Sequence, residues 1–413
     1  MTDVRDLRAT AGVETPTLDE VVARASDVGL RRVQVLAWRD LDDPEAGGSE
    51  RHAHHVASRW ADAGLDVVVR TSVAPGHPAV AERDGYRVLR KGMRHTVFPR
   101  TALSGLVGRR GRPDGLVEIW NGMPFFSPVW ARCPRIVFLH HVHAEMWQMV
   151  LRPWHARVGE FIERRVAPPL YRTTRIVTLS ESSRHEIVAM LKLRPSRVSV
   201  VPPGVDPRFS PGGVRSPQPL VVAVGRLVPV KRFDLLVEAL ADVRRRVPDL
   251  RAVIVGEGYE RPRLEAQRQA LGAESWLALP GALDDAEVLD LYRRAWVLAS
   301  TSQREGWGMT VSEAAGCETP AVVSRIAGHI DAVEDGVSGL VANILSGRPR
   351  AGDPAPTAAW ADALEAVLAD GALRERLGRG ARRRAQQLTW EATAAGTLNA
   401  LVEEAIAGNR PGP

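Results

Sequence analysis

The 413-residue sequence is poor in cysteine, in lysine and in long apolar runs. Only Cys133 and Cys317 are present, which excludes a disulfide framework or a cysteine-rich metal cluster and favours a reducing compartment. No run of about 18 apolar residues occurs, so no membrane-spanning helix is predicted. The first residues carry acids and lack an apolar stretch, so we expect a cytoplasmic protein without a secretory signal.

The positive charge of the chain is carried mainly by arginine. The formal net charge is +6 at pH 7, and almost all of the 55 basic residues are Arg. Arginine binds phosphate through a planar, bidentate fork, so this bias favours anionic ligands. No basic stripe interleaved with aromatic residues occurs, so we predict no nucleic-acid partner. The basic runs at 109–112 and 382–384 are interpreted as solvated faces, with peripheral contact to an anionic inner membrane face as the alternative.

Short β-branched runs alternate with longer amphipathic segments, a pattern typical of parallel βαβ units. In the first half the predicted strands are 33–37, 67–69, 116–120, 136–139, 176–179 and 198–201, with a helix over 49–64 and a short one over 18–28. Residues 202–219 are rich in proline and glycine and therefore break the pattern. The pattern restarts with predicted strands at 220–224, 252–255, 297–300, 321–324 and 339–341, and it ends with a helix over 390–407.

The length suits two domains of about 200 residues each, and two domains imply a cleft between them. We predict an α/β protein with two Rossmann-like, doubly wound parallel-sheet domains that face a central cleft. The first domain is placed at 1–205 and the second at 206–385. Ligands bind at the carboxyl ends of the strands in such sheets, so the motifs that follow strands are the candidates for a site.

The segment 224–232 places a glycine and two cations in the loop after a predicted strand. Gly225 ends the strand, and Arg226 and Lys231 stand five residues apart before the next helix. Converging on one point, the two cations can neutralise a diphosphate without a metal ion. The alternative is a pair of unrelated surface cations.

A second segment, 305–315, has two carboxylates on either side of a glycine-bearing helix start. Gly306 and Gly308 allow a ligand to approach the backbone, and the unpaired N–H groups at the start of the helix attract phosphate. Glu305 and Glu313 can accept hydrogen bonds from the hydroxyls of a sugar and of a ribose, respectively. The alternative is that both acids are solvent-exposed helix residues that bind no ligand.

Two motifs follow strands of the first domain. Gly47 and Gly48 leave bare N–H groups toward the cleft, with Ser49 as the candidate N-cap of the next helix, although a turn requires such glycines just as often.

The other motif is the histidine cluster formed by His140, His141 and His143. A zinc site is disfavoured because no carboxylate or cysteine at ligand spacing completes it. A histidine that hydrogen-bonds a ligand in the cleft is preferred, and the sequence does not distinguish among the three.

Two further patterns are interpreted as incidental. Asp40 and Asp42 have the spacing with which other enzymes hold a divalent ion, but such a triplet arises readily by chance among 49 acids. Gly256 and Gly258 follow a strand as in a dinucleotide fingerprint, but Arg261 stands where the third glycine is required. We therefore predict no metal ion and no cofactor, and we disfavour a dehydrogenase.

Taken together, these motifs resemble the retaining glycosyltransferases of family four, which contains bacterial mannosyl- and glucosyl-transferases and sucrose synthase. The segment 47–50 is similar to the family's amino-terminal glycine motif, and 203–209 is similar to its interdomain segment. The segment 225–231 matches the diphosphate-binding loop. Glu305 and Glu313 match the family's two glutamates, which are separated by seven residues.

The resemblance implies the GT-B fold, in which residues 386–413 cross back to the first domain. The first domain would bind the acceptor and the second would bind the nucleotide-sugar donor. A hexose-type sugar would pass from a GDP- or UDP-sugar to an acceptor hydroxyl or similar nucleophile, with retention of configuration and without a metal ion. The catalytic residues so implied are His140, Glu305, Arg226 and Lys231. The donor-binding residues so implied are Gly47, Gly48, Gly225, Arg226, Lys231, Glu305, Gly306, Trp307, Gly308, Met309, Thr310 and Glu313.

The sequence leaves several points open. It does not identify the base, the sugar, the oligomeric state or the acceptor, whether small molecule, lipid or saccharide. The segment 327–331 departs from the Gly-Gly and nearby Glu that family members often carry, which leaves donor-sugar selectivity open. A sugar-nucleotide epimerase of the same architecture and a non-catalytic nucleotide-sugar-binding protein are the alternatives, and the presence of both glutamates favours transfer.

Overall fold

A computed structural model describes residues 16–107, 112–342 and 356–408 of the chain. The first fifteen residues and most of the basic run at 109–112 lie outside the described residues. The described residues form two α/β domains, each built around a largely parallel sheet. The predicted fold class is therefore confirmed.

The first domain contains a sheet of eight described strands in the order β3-β4-β2-β1-β5-β6-β7-β8, parallel except for β3 against β4. The strands are β1 (Arg32–Leu36), β2 (Asp66–Thr71), β3 (Val80–Arg83), β4 (Tyr86–Arg90), β5 (Gly115–Ile119), β6 (Arg135–Phe138), β7 (Arg175–Thr178) and β8 (Val198–Val200). The helices are α1 (Leu18–Asp27), α2 (Gly48–Asp62), α3 (Val97–Val107), α4 (Ser127–Trp130), α5 (Met146–Val150), α6 (Pro153–Phe161), α7 (Ala167–Leu170) and α8 (Glu181–Leu191), with a π-helical turn over Ile162–Val166.

The second domain contains a six-stranded parallel sheet in the order β11-β10-β9-β12-β13-β14. Its strands are β9 (Leu220–Val224), β10 (Arg251–Val255), β11 (Leu277–Gly281), β12 (Val297–Ser300), β13 (Ala321–Ser324) and β14 (Gly339–Ala342). The remaining helices are α9 (Phe233–Arg246), α10 (Arg261–Ala270), α11 (Asp285–Arg294), α12 (Met309–Gly316), α13 (His329–Ala332), α14 (Pro356–Ala369), α15 (Gly371–Gln386) and α16 (Trp390–Gly408). Of the helices in the described ranges, none combines the length and apolarity that a bilayer crossing requires.

The central strands are short and almost fully buried, which is why they appear in the sequence as continuous apolar runs. Strand β5 is buried along its whole length, and helices cover both faces of each sheet. The structure has a strand at every predicted position. It adds β3, β4 and β11, which the sequence analysis did not predict.

The β3–β4 hairpin has a sequence signature, an Asp-Gly turn, from which it could have been predicted. Its two-residue turn is Asp84-Gly85, and both residues have positive φ, at 42° and 79°. An Asp-Gly pair between two strands is the composition that such turns require. Strand β11 was missed for a different reason, because its sequence LALPG ends in proline and glycine.

Helix α16 belongs to the core of the first domain although it follows the second in sequence. Its residues Ala394, Leu398 and Leu401 pack with the first sheet, and Trp60 of α2 donates its indole N–H to the Ala394 carbonyl at 2.9 Å. Helix α1 packs against α16 through the same core, and its Arg24 donates to Asn399 at 2.9 Å. The purpose of α1, which the sequence did not disclose, is thus to cover α16.

The chain crosses between the domains twice, and the two crossings lie side by side. The Val205 N–H donates to the Leu388 carbonyl at 3.0 Å. A Cβ atom at Gly204 would lie only 2.2 Å from the Trp390 backbone nitrogen. Glycine at 204 therefore allows the two crossings to pack backbone against backbone.

We expect Gly204→Ala to lower the free energy of unfolding by roughly 2–3 kcal/mol, because the methyl group meets backbone that cannot turn aside. The matched control is Gly371→Ala, whose Cβ would meet only the end of the Arg374 side chain at 3.6 Å. Urea unfolding of both variants tests this expectation. Equal stabilities would show that the two crossings separate readily.

Candidate active site

The carboxyl ends of both sheets face one cleft, which encloses a cavity of about 1490 Å³. All the residues predicted for the site line this cleft, including His140, His141 and His143. The first domain contributes the loops after β1, β5 and β6, and the second contributes the loops after β9, β10 and β12. The cleft therefore lies where parallel sheets bind ligands.

Lys231 and Glu305 form an ion pair on the wall of the second domain. Lys231 Nζ contacts Glu305 Oε1, and the same carboxylate oxygen accepts from Ser302 Oγ at 2.9 Å. Thr301 Oγ1 donates to the Lys231 carbonyl at 2.9 Å, which fixes the loop behind the pair. The two side chains are 21% and 18% exposed, so the charges are partly shielded from water but reachable from the cleft.

The charge state of Glu305 follows from this pairing. Burial alone raises the pKa of Glu305, but the charge of Lys231, helped by His329 and the Ser302 hydroxyl, reverses the shift and lowers the pKa to about 2. Glu305 is therefore a carboxylate at neutral pH. It can accept hydrogen bonds from hydroxyl groups, and it cannot serve as a proton donor.

Arg226 does not join this pair but reaches across the cleft. Its Nη1 donates to the Glu45 carbonyl at 3.4 Å, and a Cβ at Gly47 would lie 3.5 Å from its Nε. Burial, then the nearby charge of Arg39, lowers the pKa of Arg226. The two cations of the 225–231 loop thus contact different partners, and Arg226 lies beside the glycine turn that opens α2.

The start of α12 lines the cleft next to the ion pair. Its N-cap is Gly308, whose φ of 105° lies in the region that favours glycine. A Cβ at Gly308 would also lie 3.0 Å from the His329 ring. Trp307 anchors the turn, because its indole N–H donates to Ser312 Oγ at 2.8 Å. The N–H groups at Met309 and Thr310, ahead of the first hydrogen-bonded N–H at Val311, carry the positive end of the helix dipole.

Gly306 serves contact between the domains. A Cβ at this position would lie 2.5 Å from the His140 carbonyl oxygen. The Gly306 carbonyl accepts from the hydroxyls of Ser180 and Ser183, each at 3.2 Å. The sequence analysis assigned this glycine to the approach of a ligand, whereas its close neighbour in the structure is the backbone of the first domain.

Polar contacts on either side of Gly306 also join the domains. Arg304 forms ion pairs with Glu186 at 2.5 Å and with Glu145 at 2.9 Å. The Asp331 carboxylate accepts from the Ser182 backbone N–H at 3.2 Å and from its hydroxyl. The segment 327–331, where the sequence departs from the family pattern, therefore carries an interdomain contact.

Glu313 lies one turn inside α12 and faces the cleft. Its Oε2 accepts from the Tyr292 hydroxyl at 3.0 Å. Burial raises the pKa of Glu313, in contrast to Glu305. The two glutamates therefore differ in environment: one is held by a cation and the other by a phenol.

His140 lies at the carboxyl end of β6 and is buried. Its Nε2 lies 3.4 Å from Nδ1 of His52, a buried residue of α2. Burial lowers the pKa of His140 to about 4, so the ring is neutral at pH 7. Because His52 occupies Nε2, the ring nitrogen left for a further partner is Nδ1.

The rest of the histidine loop is fixed by a buried carboxylate. Glu163 accepts from the backbone N–H groups of His143 at 2.7 Å and Ala144 at 3.0 Å, and from the Trp147 indole at 3.0 Å. The His141 and His143 rings stack with centroids 5.3 Å apart. Glu163 is a positioning residue that the sequence analysis missed, since no spacing relates it to the loop.

The prediction that Ser49 caps α2 is wrong. The helix begins at Gly48 with Gly47 as its N-cap. The Glu50 carboxylate accepts from the Gly47 N–H at 2.8 Å, and Gly47 itself has no side chain with which to cap the helix. Ser49 lies in the first turn, where its hydroxyl accepts from Asn121 at 3.2 Å.

Sequence reasoning also missed two side chains of the first domain that line the cleft. Arg39 follows β1 and forms a buried ion pair with Glu50 at 3.0 Å. Asn121 follows β5. Both stand just beyond the carboxyl end of a predicted strand, and that position alone would have identified them.

Asp40 and Asp42, set aside as incidental, are engaged by arginines. Arg90 Nε pairs with Asp40 at 2.7 Å, and Arg90 and Arg83 both contact Asp42. These ion pairs tie the loop after β1 to the β3–β4 hairpin. Across the described ranges, no group of three or more His, Cys, Asp or Glu side chains is arranged to hold a metal ion.

Gly256 and Gly258 brace the cation loop. A Cβ at Gly256 would lie 2.0 Å from the Gly225 carbonyl oxygen, and one at Gly258 would lie 2.2 Å from the Leu227 carbonyl oxygen. The glycines that imitate a dinucleotide fingerprint therefore permit backbone packing behind the loop that carries Arg226.

Two family models match the chain. The model described as Glycosyltransferase Family 4 matches residues 46–209, and the model described as Glycosyl transferases group 1 matches residues 207–384. The chain belongs to glycosyltransferase family four. The suspected resemblance is confirmed.

Curated relatives of this family-four chain include D-inositol 3-phosphate glycosyltransferases. That of Kribbella flavida is 34% identical over 245 residues, covering 55% of this chain and 55% of that protein. That of Stackebrandtia nassauensis is 28% identical over 431 residues, covering 93% of this chain and 94% of that protein. The alignments thus span about half the length of the first relative and nearly all of the second.

Solved structures with the same fold include other glycosyltransferases. Sucrose-phosphate synthase from Thermosynechococcus elongatus has a TM-score of 0.73 at 19% identity, over 91% of the family-four chain and 99% of that chain. Anabaena HepE in complex with UDP-glucose has a TM-score of 0.66 at 18% identity, also over 91% and 99%. These likenesses confirm the GT-B architecture.

We expect Lys231→Met to destabilise the family-four chain by on the order of 2 kcal/mol at pH 7, because it leaves the Glu305 carboxylate without its cation. The double variant Lys231→Met/Glu305→Gln should recover most of that loss. Urea unfolding of the wild type, both single variants and the double variant measures the coupling. Additive effects would show that the pair contributes nothing.

The pH dependence gives a second readout of the same pair. In the wild type the depressed pKa of Glu305 adds stability above its ordinary pKa, and this stability is lost as the pH falls toward about 2. In Lys231→Met the main charge that opposes burial is gone and the pKa of Glu305 rises, so Glu305 costs stability as the pH rises above its ordinary pKa. The difference in unfolding free energy between Lys231→Met and the double variant should therefore be large at pH 7 and small at pH 4.

Proposed function

We propose that the chain is a retaining glycosyltransferase that moves a hexose-type sugar from a GDP- or UDP-sugar to an acceptor hydroxyl or similar nucleophile. The second domain binds the donor, and the first domain binds the acceptor. Support for a nucleotide-sugar donor comes from Anabaena HepE, solved with UDP-glucose, and from relatives that are themselves glycosyltransferases.

The observation that carries the proposal is the position of Lys231, Glu305 and the start of α12 on one wall of the cleft. A lysine ammonium and a helix N-terminus both attract a diphosphate. The ionised Glu305 accepts hydrogen bonds from sugar hydroxyls. Glu313, deeper in the same helix, accepts from the ribose. In this proposal the wall contacts each part of the donor in turn, from the ribose through the diphosphate to the sugar.

The chemistry proposed for this wall is stabilisation of the leaving group. As the glycosidic bond breaks, negative charge grows on the diphosphate, and preorganised donors lower the barrier by binding that charge more tightly in the transition state. Lys231, Arg226 and the first turn of α12 supply the donors, so the proposal needs no divalent ion. The acceptor attacks from the face that the diphosphate leaves, and a diphosphate oxygen takes its proton, so configuration is retained.

His140 is assigned to the sugar side of the donor. Its backbone lies against Gly306 in the 305–308 loop, and its neutral ring offers Nδ1 for a hydrogen bond to a sugar hydroxyl. Two alternatives use the same phosphate contacts, a sugar-nucleotide epimerase and a donor-binding protein without turnover. Release of free nucleoside diphosphate on turnover favours the transferase over both.

We expect one of UDP, GDP, ADP and TDP to stabilise the protein, by roughly 2.7 kcal/mol when present at about 100 times its dissociation constant. Thermal unfolding with each nucleotide identifies the base, and calorimetry then compares two variants. Lys231→Ala should lose affinity for the nucleoside diphosphate. His140→Ala should retain that affinity, because we expect His140 to contact the sugar, which the nucleoside diphosphate lacks. If none of the four nucleotides stabilises the protein at millimolar concentration, the proposal of a nucleotide-sugar donor is wrong.

We expect turnover to persist in EDTA, and we expect Lys231→Ala and Arg226→Ala each to lower it by about two to three orders of magnitude, the loss typical of one preorganised donor. Release of nucleoside diphosphate from the donor is the measurement. The control is Lys91→Ala, which removes an exposed lysine outside the cleft. Activity that EDTA abolishes and magnesium restores, with Lys231→Ala near wild type, would contradict the assignment.

A further inference from the structure

We propose that the first domain docks on an anionic lipid bilayer through two apolar stripes at the mouth of the cleft. We call these stripes the cleft lip. The α6 stripe consists of Trp154, Val158 and Phe161 of α6 with Leu151 just before the helix, and the α3 stripe consists of Leu103, Leu106 and Val107. This inference goes beyond the proposed transfer reaction, since it concerns where the enzyme acts.

The α6 stripe reverses the usual orientation of an amphipathic helix. Trp154 and Phe161 are 70% and 60% exposed, whereas the buried face of the helix consists of Ala156 and Gly159. Gly159 packs so closely on Trp147 that a Cβ would lie 2.6 Å from the indole ring. The helix therefore holds to the domain through its smallest residues and presents its largest apolar ones to solvent.

The α3 stripe repeats this arrangement. Leu103, Leu106 and Val107 are all more than half exposed at helical spacing. Gly105 faces the domain, where a Cβ would lie 2.3 Å from the Trp130 ring. Scattered exposed apolar residues are ordinary, but two helices that both line the cleft and both expose a row of large apolar side chains indicate a surface that binds an apolar partner.

Charge around the α6 stripe decides which surface that is. Arg152, Arg157 and Arg165 are exposed, and within the described part of the chain none of their guanidinium groups has a carboxylate partner. Of the two acids between them, Glu160 is paired with Arg164 at 2.9 Å and Glu163 is buried. Large apolar side chains flanked by unpaired arginines are the composition of a helix that lies in the interface of an anionic membrane.

Both stripes are continuous with the cleft. Phe98 and Ala102 of α3 and Trp154 and Val158 of α6 also line the cavity. Docking through the lip therefore places the mouth of the cleft at the headgroup layer. If the transfer reaction is as proposed, its acceptor is a hydroxyl-bearing molecule held at that layer, and the donor enters from the aqueous side.

Flotation with vesicles of phosphatidylcholine, with and without phosphatidylglycerol, tests the docking without any nucleotide. We expect the full chain to float with the anionic vesicles. Trp154→Asp/Phe161→Asp should weaken binding at least tenfold, because two apolar anchors are lost. Arg157→Gln/Arg165→Gln should weaken it about fivefold for each arginine removed, and only on anionic vesicles.

The matched control is Val80→Asp/Val214→Asp, which charges two valines, each more than half exposed, away from the lip and should bind as the wild type does. Thermal unfolding checks that each variant is folded. The inference is wrong if the wild type does not float, or if folded Trp154→Asp/Phe161→Asp floats equally well. It is also wrong if light scattering shows a wild-type dimer that this variant dissociates, since the lip would then bind a second copy. Because no donor is present, these outcomes are independent of whether the chain transfers sugar.

Discussion

The contact between the Gly306 backbone and the His140 carbonyl determines how the two domains meet. No side chain fits between them, since a single Cβ would lie 2.5 Å from the carbonyl oxygen. The hydroxyls of Ser180 and Ser183 hold the Gly306 carbonyl from the other side. The loop that carries Glu305 is thereby fixed against the end of β6. The common space that His140, Lys231 and Glu305 share depends on this approach.

The ion pairs of the cleft fall into two groups with different consequences. Arg39 with Glu50, and Arg90 with Asp40, are buried pairs within the first domain. Such pairs repay their own desolvation at best, so they orient loops more than they stabilise the fold. Lys231 with Glu305 is partly open to the cleft. At an effective dielectric of about 20, two charges 4 Å apart attract by about 4 kcal/mol, and the charge of Lys231 outweighs the effect of burial on the Glu305 pKa. This pair places a hydrogen-bond donor and an acceptor side by side on one wall of the cleft.

Much of the fold could be predicted because buried parallel strands have a plain signature. Runs such as 220–224 are apolar on both faces and could be placed to within a residue or two. The start of α2 was predicted one residue late because the N-cap is Gly47, which has no side chain to cap the helix, and Glu50 three residues later accepts from the Gly47 N–H. Contacts such as Glu163 to the His143 backbone could not be predicted at all, since they join separate elements that only the tertiary structure brings together.

The residues of the second-domain wall could be predicted from the sequence more completely than those of the first-domain wall, for a physical reason. The wall of the second domain uses backbone: a helix start at Met309, a left-handed turn at Gly308, and glycines that let loops pack closely. Backbone geometry requires particular residues at fixed spacing, so it leaves a motif in the sequence. The wall of the first domain uses single side chains from the ends of separate strands, among them Arg39 and Asn121, with no spacing between them. Such side chains can change without changing the fold. The side chains of the first-domain wall are therefore free to diverge among proteins that keep the same second-domain wall.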